Sequence, residues 1–385
     1  MNCKGDNMGG NRQSGKIFFD DKGVDKKKLE DIRSKIDHID KGLLELLNHR
    51  AALCKEVGEI KSISKESVFK PFREKEVMKK LISQNPGHLP DDHLRAIYRE
   101  ILSSSRKLQQ PQKVVYLGPE GTFSYFAGIE YLGHSADLKP CNSLKEVFQI
   151  VEKREAELGI IPLENSLQGS VGQSLDLFLM YKVFIQAEVF CKTSHSLLSS
   201  DTSLTGIQTV YSHPQALEQC SNWLRTHLPE VIIIPVESTS AAAIKVIDEK
   251  GSAAIGHEKL GDMFGLNILS SRIEDLPDNW TRFMIIGPTP PEGGHQDKTS
   301  LLFTLPDKSG ALAGVLTVLA QNGINLKKLE SRPLRSEKWK YVFFADLECD
   351  LSGEQYQDLK MELSRRCSSL QILGSYPAGA YIQTL

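Results

Sequence analysis

Several kinds of site and partner are excluded by what this sequence of 385 residues lacks. No apolar run approaches the length that spans a membrane, so no membrane partner is expected. The seven cysteines include no CxxC pair and the ten histidines no HxxxH pair, so we expect neither a metal site nor a cofactor. The net charge of -2 supplies no overall field that would attract nucleic acid.

The composition and the N-terminal segment are typical of a cytoplasmic protein. Residues 1–24 form a polar tail of mixed charge, without the apolar core of a signal peptide. An odd number of widely spaced cysteines indicates reduced thiols. Hydrophobic residues make up 40% and charged residues 25% of the chain, and its length allows two or three domains.

The apolar residues of 25–110 have the periodicity of an all-α domain. Apolar residues recur with the helical period from 26 to 61, and no proline interrupts them. A helix of that length spans roughly 50 Å, which one copy cannot bury at both ends. We therefore expect a homodimer or a higher homo-oligomer. Two shorter helices should follow near 71–84 and 91–109.

The periodicity of apolar residues changes twice along the remaining chain, which predicts a multidomain protein. Between 111 and 289, short apolar strands alternate with amphipathic stretches, as in an α/β domain with a largely parallel sheet and two lobes. Residues 290–297 have the composition of a linker. Residues 298–385 follow the order β-α-β-β-α-β, which predicts an α+β ferredoxin-like unit.

Among the cations of the long predicted helix are Arg33, Arg50 and Lys61. At 100° per residue Arg50 and Lys61 share a face, while Arg33 lies roughly 100° away and would meet their counterparts in a partner chain. Polar residues on the two following helices complete the set: Arg73, Glu74, Ser105 and Gln109. The alternative is that these are solvated surface charges.

The segments that carry these residues resemble the all-helical chorismate mutase domain. They are KLEDIRSKIDHIDKGLLELLNHRAALCKEVGEIK, PFREKEV and EILSSSRKLQ. The resemblance implies an intertwined dimer in which the long helix donates Arg33 to the partner's site. Some relatives have an acid at the position of Lys70, so we assign that residue no role.

The chemistry that the resemblance implies suits the residues present. Rearrangement of chorismate to prephenate needs no nucleophile or base; it needs a dicarboxylate held in a folded, reactive shape. Arginines would hold the carboxylates. Lys61 and Gln109 would donate to the ether oxygen, where negative charge grows, and Glu74 would accept from the substrate hydroxyl.

In the middle region, small polar residues cluster at the predicted ends of strands. KVVYLGPEGTFS lacks GxGxxG and a Walker lysine, so no nucleotide site is predicted there. PLENSLQGSV, YSHPQA and ESTSAAA would face one crevice, the usual binding place in open α/β sheets. The alternative for Ser238, Thr239 and Ser240 is that they only cap a helix.

LGPEGTFS, IPLENS, YSHPQALEQC, ESTSAAA and NWTRF together resemble the prephenate dehydratase domain, in its order and over nearly all of 113–287. This implies that Thr281 donates to the leaving hydroxyl of prephenate, while Arg282 holds a carboxylate or braces the loop. A threonine alone is a poor proton source, so a relay is expected, with Glu164 as an alternative acid. Further substrate-binding candidates are Asn165, Ser166, Ser212, His213, Gln215, Ser238 and Thr239, and His213 alternatively only positions the turn before Pro214.

GALAGVL and LESRP in the last region resemble the ACT regulatory domain, which implies L-phenylalanine as effector, bound between paired domains. Small residues at a strand-to-helix turn let backbone amides approach a carboxylate. The implied pocket residues are Ser309, Gly310, Ala311, Leu312, Glu330, Ser331, Arg332 and Pro333. The alternative is a structural βαββαβ unit without a ligand.

The three resemblances imply one bifunctional family of phenylalanine biosynthesis: chorismate mutase and prephenate dehydratase activities with feedback inhibition by L-phenylalanine. One alternative is a dehydratase, acting on prephenate or arogenate, whose helical region is a dimerisation arm without mutase activity. The full set of cationic and polar residues argues against it. A second alternative is a two-lobed solute-binding protein, which the polar N-terminal segment and NWTRF disfavour.

Overall fold

The computed structural model describes residues 21–64, 66–293, 296–334 and 340–382, with side chains from residue 26 onward. The predicted polar tail lies outside these residues as far as residue 20. The chain forms two compact units, one ending at Glu56 and one beginning at Val57, and each is described by itself.

The first unit contains most of a long helix, α1 (Asp21–Ser64). This helix extends beyond the predicted 26–61 at both ends, because no proline stops it. Its apolar side chains lie on the surface, and Ile36 is 50% and Leu46 67% exposed. An apolar stripe of this kind marks an interaction surface. No helix in the described ranges is both long and apolar enough to cross a membrane.

The second unit begins with the last turns of α1, which are followed by α2 (Pro71–Gln84) and α3 (Asp91–Gln109). Both helices have the predicted bounds. Pro71 takes the first helical position, where its missing amide hydrogen costs nothing. Gly58 lies against the end of α3: a Cβ there would come within 2.7 Å of the Gln109 backbone, so a larger residue would push the two helices apart.

Seven strands form the first sheet in the part of the chain that the structure describes. They are β1 (Lys113–Leu117), β2 (Asp137–Cys141), β3 (Leu158–Asn165), β4 (Gly169–Ser170), β5 (Phe184–Lys192), β11 (Trp280–Gly287) and β16 (Ala380–Ile382). Their order is β16-β5-β11-β3-β1-β2, with β4 beside β3. β1 is parallel to β2 and β3, but β11 runs against both β3 and β5. The sheet predicted to be largely parallel is therefore mixed, because the chain returns from the second sheet in the opposite direction.

The second sheet lies between β5 and β11 in the chain. It contains β6 (Ser196–Ser199), β7 (Thr209–Ser212), β8 (Ile232–Pro235), β9 (Ser252–Gly256) and β10 (Asn267–Ser270), in the order β10-β6-β9-β7-β8. The helices of the two sheets are α4 (Phe123–Leu132), α5 (Leu144–Glu152), α6 (Gly172–Met180), α7 (Pro214–Gln219), α8 (Ser221–His227), α9 (Thr239–Lys245) and α10 (Lys259–Phe264).

The third sheet is antiparallel and has the order β13-β14-β12-β15. Its strands are β12 (Lys298–Thr304), β13 (Leu326–Pro333), β14 (Tyr341–Leu347) and β15 (Ser369–Tyr376). The helices α11 (Ala311–Gln321) and α12 (Gln357–Arg366) connect them, and a 3₁₀ turn (Glu354–Tyr356) precedes α12. The chain then leaves this sheet, and β16 pairs with β5 of the first sheet.

The two faces of β11 pack against different parts of the second unit. Phe283 and Ile285 belong to the core beneath α4, whereas Met284 and Ile286 belong to a core that includes Phe344 and other residues of the third sheet. Side chains alternate along a strand. Thr281 therefore faces one side of the first sheet, and the next residue faces the side that the third sheet covers.

Candidate active site and effector region

The hydroxyl of Thr281, near the beginning of β11, is held by the ends of two neighbouring strands. Asn165, the last residue of β3, donates from Nδ2 to Thr281 Oγ1 over 3.0 Å. Thr193, just beyond the end of β5, has its Oγ1 2.8 Å from the same atom. Thr281 itself is half-buried, while Thr193 and Asn165 are each only 6% exposed. The hydroxyl is thus fixed from the protein side.

The orientation of the Asn165 amide follows from backbone donors. The amides of Leu167 and Gln168 both donate to Asn165 Oδ1 over 3.1 Å, so the NH₂ group must face the other way. It donates to Thr281 and, over 2.7 Å, to Asn279 Oδ1. The sequence pointed to Asn165, and the β3–β11 register brings it opposite Thr281.

The hydrogen-bond network around Thr281 continues from Asn279 through Gln219 to His195. Since Asn279 Oδ1 accepts, its Nδ2 is the donor to Gln219 Oε1, over 3.2 Å. His195 Nε2 lies 2.8 Å from that oxygen and must carry a proton to donate to it. Burial lowers the pKa of His195, so the imidazole is neutral near pH 7.

Thr193, Gln219 and His195 were missed by the sequence analysis. Thr193 and His195 follow directly after β5, so the end-of-strand position used for the other segments was the available signal. Gln219 ends α7, inside the segment YSHPQALEQC. Within the described ranges, His195 Nδ1 and Gln219 Nε2 are buried without a hydrogen-bond partner. These atoms belong to the network that holds Thr281.

Loops from the first and second sheets meet beside this network. Ser240, in α9, donates to the backbone oxygen of Glu120, in the loop after β1. The ring of Phe123 meets the rings of His195 and His257 edge-on, with centroids 5.6 and 5.8 Å apart. The segments LGPEGTFS and ESTSAAA are therefore in contact with each other.

Two residues of YSHPQA have structural partners that argue against the predicted substrate contacts. Ser212 is fully buried and donates to the backbone oxygen of Ile255 over 2.6 Å, so its proton is used in the core. His213 caps α7: its Nδ1 accepts from the Gln215 amide over 3.3 Å. Burial lowers the pKa of His213, which disfavours a charged acid and supports the turn-positioning alternative.

The other candidates near the crevice have mixed roles. Ser166 binds the NWTRF segment, because its Oγ accepts from the Trp280 amide over 2.9 Å. Gln215 donates from its side chain to Gln168. Ser238 caps α9 by accepting from the Ala241 amide over 3.0 Å, and Thr239 is buried in the first turn. Ser238 therefore caps α9, and capping does not prevent binding at the same helix end.

Arg282 requires a correction, because its guanidinium is turned away from Thr281. It is 4% exposed and donates to Glu188 over 2.7 Å and to Asp346, in β14 of the third sheet, over 2.5 Å. Burial alone would lower its pKa, but Tyr376, Asp346 and Glu188 outweigh that effect and raise it. The geometry contradicts the predicted carboxylate-binding role and favours a bracing role.

The acidic partners of Arg282 are shared with Lys298, at the start of β12. Lys298 Nζ lies 3.0 Å from Glu188 and 3.8 Å from Asp346. Ser300 donates to Asp346 and is hydrogen-bonded to the Tyr376 hydroxyl, which also accepts from Arg282 over 3.3 Å. We call Arg282, Glu188, Lys298, Ser300, Asp346 and Tyr376 the buried ionic cluster. It bonds the strand that carries Thr281 to the third sheet.

In the helical part of the second unit, Lys61 and Gln109 are partly buried. Lys61 donates to the backbone oxygens of Ser67 and Val68 over 3.3 and 3.5 Å. Burial, helped by Lys70, lowers the pKa of Lys61. Gln109 Oε1 is buried without a partner in the described part of the chain. Lys70 pairs with Glu66 over 2.5 Å, an interaction that gives no hint of a catalytic role.

The remaining candidates of α2 and α3 differ in exposure. Arg73 is exposed. Glu74 forms an ion pair with the buried Arg106, so its carboxylate is held against α3. Ser105 is 6% exposed and donates to the Ile101 backbone oxygen over 2.6 Å. With its proton used there, Ser105 can only accept from a ligand.

Arg33 and Arg50 belong to the first unit. The Arg33 residue is exposed on α1. Arg50 Nη1 lies 3.8 Å from Cys54 Sγ, one turn further along the helix. Both cations lie on the same helix as the exposed apolar stripe of α1.

The predicted effector residues lie at two places in the third-sheet region. Ser309 and Gly310 precede α11, and Gly310 has a positive φ of 78° that suits glycine there. Ala311 and Leu312 form the first turn of α11. Small residues before a helix leave its first amides accessible, as the prediction requires.

The second predicted effector segment, in β13, has its side chains divided between two faces. Glu330 accepts from Ser170, and Arg332 donates from Nε to Asp176 over 3.1 Å. Both partners belong to the first-sheet region. Ser331 and Pro333 alternate with them and are exposed. Glu330 and Arg332 thus link the third sheet to the first, which their predicted binding role did not include.

Three family models match the chain in succession. Residues 32–110 match chorismate mutase type II, residues 114–291 match prephenate dehydratase, and residues 299–355 match the ACT domain. The first match contains the helical candidates, the second the network around Thr281, and the third most of the third sheet.

Curated and solved relatives agree with this order. A bifunctional chorismate mutase/prephenate dehydratase from Aquifex aeolicus is 40% identical over 353 residues, which are 91% of this chain and 98% of that protein. A crystal structure of prephenate dehydratase from Arthrobacter aurescens in complex with L-Phe is 30% identical, with a TM-score of 0.63, and covers 69% of this chain and 90% of that one. A structure described as GqqA, a novel type of quorum quenching acylase, is 29% identical, with a TM-score of 0.62, over 69% of this chain and 98% of that one.

Proposed function

The chain belongs to the bifunctional chorismate mutase/prephenate dehydratase family, and from that premise we propose which residues perform each reaction. The helical domain, 25–110, rearranges chorismate to prephenate. The domain 111–289 converts prephenate to phenylpyruvate at Thr281. The observation that carries this assignment is the hydrogen-bond network that fixes the Thr281 hydroxyl through Asn165 and Thr193.

The dehydratase reaction needs no cofactor. The bond to the ring carboxylate breaks, and its electron pair enters the ring as carbon dioxide leaves. The C–O bond on the opposite ring carbon breaks with its pair on oxygen, and the departing hydroxide takes a proton from solvent. Thr281 donates a hydrogen bond to this oxygen while charge grows on it. A crevice that removes water from the carboxylate favours the loss of carbon dioxide.

The mutase reaction is assigned to Arg33, Arg50, Lys61 and Gln109, with Arg73, Glu74 and Ser105 binding substrate. Arginines clamp the two carboxylates, and Lys61 and Gln109 donate to the ether oxygen. We further propose an intertwined dimer, in which α1 supplies Arg33 to the partner's site. The exposed apolar stripe of α1 supports that assembly, since it needs a second surface to cover it.

The ferredoxin-like third domain, 298–385, is proposed to bind L-phenylalanine and inhibit the dehydratase. The ligand named for the Arthrobacter structure supports this choice of effector. Inhibition requires that phenylalanine bind a less active arrangement more tightly than the active one. The buried ionic cluster supplies a physical connection, since it bonds the Thr281 strand to β12 and β14. A cytoplasmic location stays a prediction, supported by the free cysteines of the described residues.

The test is product analysis of the purified chain. Chorismate and prephenate are supplied in separate tubes, each with and without phenylalanine. We expect phenylpyruvate from both, suppressed by phenylalanine. Phenylpyruvate from prephenate alone would reduce the helical region to a dimerisation arm. Turnover of arogenate in preference to prephenate would change the substrate, and turnover of neither would contradict the assignment of Thr281.

An acylase is a weaker candidate. The similarity to the acylase structure extends over 69% of the chain, whereas the 40% identical bifunctional relative extends over 91% and includes the helical region. An acylated compound can be added to the same set of tubes as a control for acylase activity, and we expect no hydrolysis.

A further inference from the structure

We propose that Thr193 is a positioning residue of the dehydratase centre: it donates its hydroxyl proton to Thr281 and so leaves the Thr281 proton for the substrate. The inference rests on the proposed function. It concerns a residue just beyond β5 that neither the motifs nor the family matches single out, and that lies 2.8 Å from the Thr281 oxygen.

The Thr281 hydroxyl can make a limited number of hydrogen bonds. A threonine hydroxyl has one proton and two acceptor positions. Asn165 occupies one acceptor position of Thr281, and its orientation is fixed by the two backbone amides that donate to its oxygen. If Thr193 fills the other acceptor position, the Thr281 proton has no protein acceptor in this network and points to the crevice. If instead Thr281 donates to Thr193, the Thr281 proton is no longer available to the substrate.

Burial decides between these two directions. Thr193 is 6% exposed, and its hydroxyl makes one hydrogen bond in the described structure, to Thr281. A buried proton donor needs an acceptor, and among the described residues the Thr281 oxygen is the hydrogen-bond partner of this hydroxyl. Thr281 is half-buried, so its own proton can reach a ligand. The arrangement that satisfies both groups has Thr193 as donor and Thr281 as acceptor.

The backbone holds Thr193 in position for this role. Its amide donates to the Asn279 backbone oxygen over 2.8 Å, which ties the residue after β5 to the residue two before Thr281. The Asn279 side chain in turn accepts from Asn165. Donor, acceptor and neighbouring amide are therefore set before substrate arrives. Preorganised donors act on the transition state without a cost of reorientation at the moment of reaction.

The experiment measures kcat and KM for prephenate in Thr193→Val, Thr193→Ser and Thr281→Val, and in the double Thr193→Val/Thr281→Val variant. Thr193→Val keeps the shape and removes the hydroxyl, so kcat should fall about 10- to 100-fold with KM nearly unchanged. Thr193→Ser keeps the hydroxyl and should stay within about threefold of the parent. The double variant should be no slower than Thr281→Val, because the second residue acts through the first.

Several outcomes would overturn the inference. A Thr193→Val enzyme with the parent's kcat would show that the bond is not needed. Additive losses in the double variant would mean that Thr193 acts independently of Thr281. A Thr193→Ser enzyme as slow as Thr193→Val would point to packing of the methyl group rather than to the hydroxyl.

The remaining controls separate folding and assignment from the inference. Mutase turnover of each preparation reports whether the chain is folded. Where valine is not tolerated, Thr193→Cys supplies a weaker donor of similar shape, and an intermediate loss is expected. A parent chain that makes no phenylpyruvate from prephenate would overturn the proposed function and this inference with it, whereas failure of the Thr193 series alone would leave the proposed function intact.

Discussion

The dehydratase centre and the mutase region differ in how far one chain completes them. Around Thr281, amides and hydroxyls of the described residues fix each other through hydrogen bonds. On α1, in contrast, the apolar stripe and the Arg33 residue lie on the surface. A centre built from buried hydrogen bonds should fail when one side chain is removed. A mutase centre shared by two chains, as we propose, should also respond to how the chains associate.

The largest expected effect is on the dehydratase centre. Thr281→Val removes the donor to the leaving hydroxyl, and we expect kcat with prephenate to fall about 10²- to 10³-fold. Mutase turnover of chorismate should be unchanged. Thr202→Val, at an exposed loop position, is the matched control and should leave both rates unchanged. A dehydratase rate within tenfold of the parent would contradict the assignment of Thr281.

The second-largest expected effect is on the stability of the second unit, which contains the buried ionic cluster. Asp346 is fully buried and accepts from Arg282, so Asp346→Asn leaves a buried cation with too few negative partners. Breaking such a pair costs about 3 to 5 kcal/mol. Urea unfolding of the chain measures this loss in the free energy of unfolding. Glu348→Gln, an exposed neighbour, should leave the free energy of unfolding nearly unchanged, and an equal loss in both variants would argue against the buried ionic cluster.

The mutase region is tested by mixing variants. Arg33→Ala and Arg50→Ala should each lower mutase turnover about 10- to 100-fold, since each removes a charged hydrogen bond. If α1 donates Arg33 to the partner's site, a heterodimer of the two variants contains one intact site. Mixing and re-equilibrating the chains should then restore part of the rate. Arg95→Ala, at an exposed position of α3, is the control, and no recovery on mixing would favour sites within one chain.

The smallest expected effect is on how the stability of the folded chain depends on pH. Burial lowers the pKa of His257 to about 3, with help from Lys259 and His195 and against Glu130. The unfolded chain has an ordinary histidine pKa of 6.5, so between these values the unfolded state binds more protons and stability falls as pH falls. His257→Gln should therefore lose less stability than the parent between pH 6 and pH 4. His88→Gln, at an exposed position, should follow the parent curve.

The helices were the most predictable part of the fold. The bounds of α2 and α3 agree with the prediction because each begins at a proline boundary and keeps one apolar face. The mixed direction of the first sheet was not predictable from short apolar runs, because a run does not encode its partner. Only pairing with β3 and β5 makes β11 antiparallel.

The candidate site was predicted in part. Thr281, Asn165 and Ser166 were named from their segments, and the structure brings them together with Thr193, Gln219 and His195, which were not named. Ser212 and His213 have the right position in the sequence, but their polar groups are used by Ile255 and by the start of α7. Hydrogen-bond partners are long-range, so the residue type alone cannot tell a binding hydroxyl from a core one.

The succession of three domains, the long helix and the residue types of each site could be predicted from the sequence, because periodicity and strand-end motifs are local. In the structure Thr281 and Arg282 face opposite sides of β11, since side chains alternate along a strand. What covers each side depends on tertiary contacts. The third sheet places Asp346 against Arg282 from 64 positions away, and that contact turns a candidate substrate ligand into a brace.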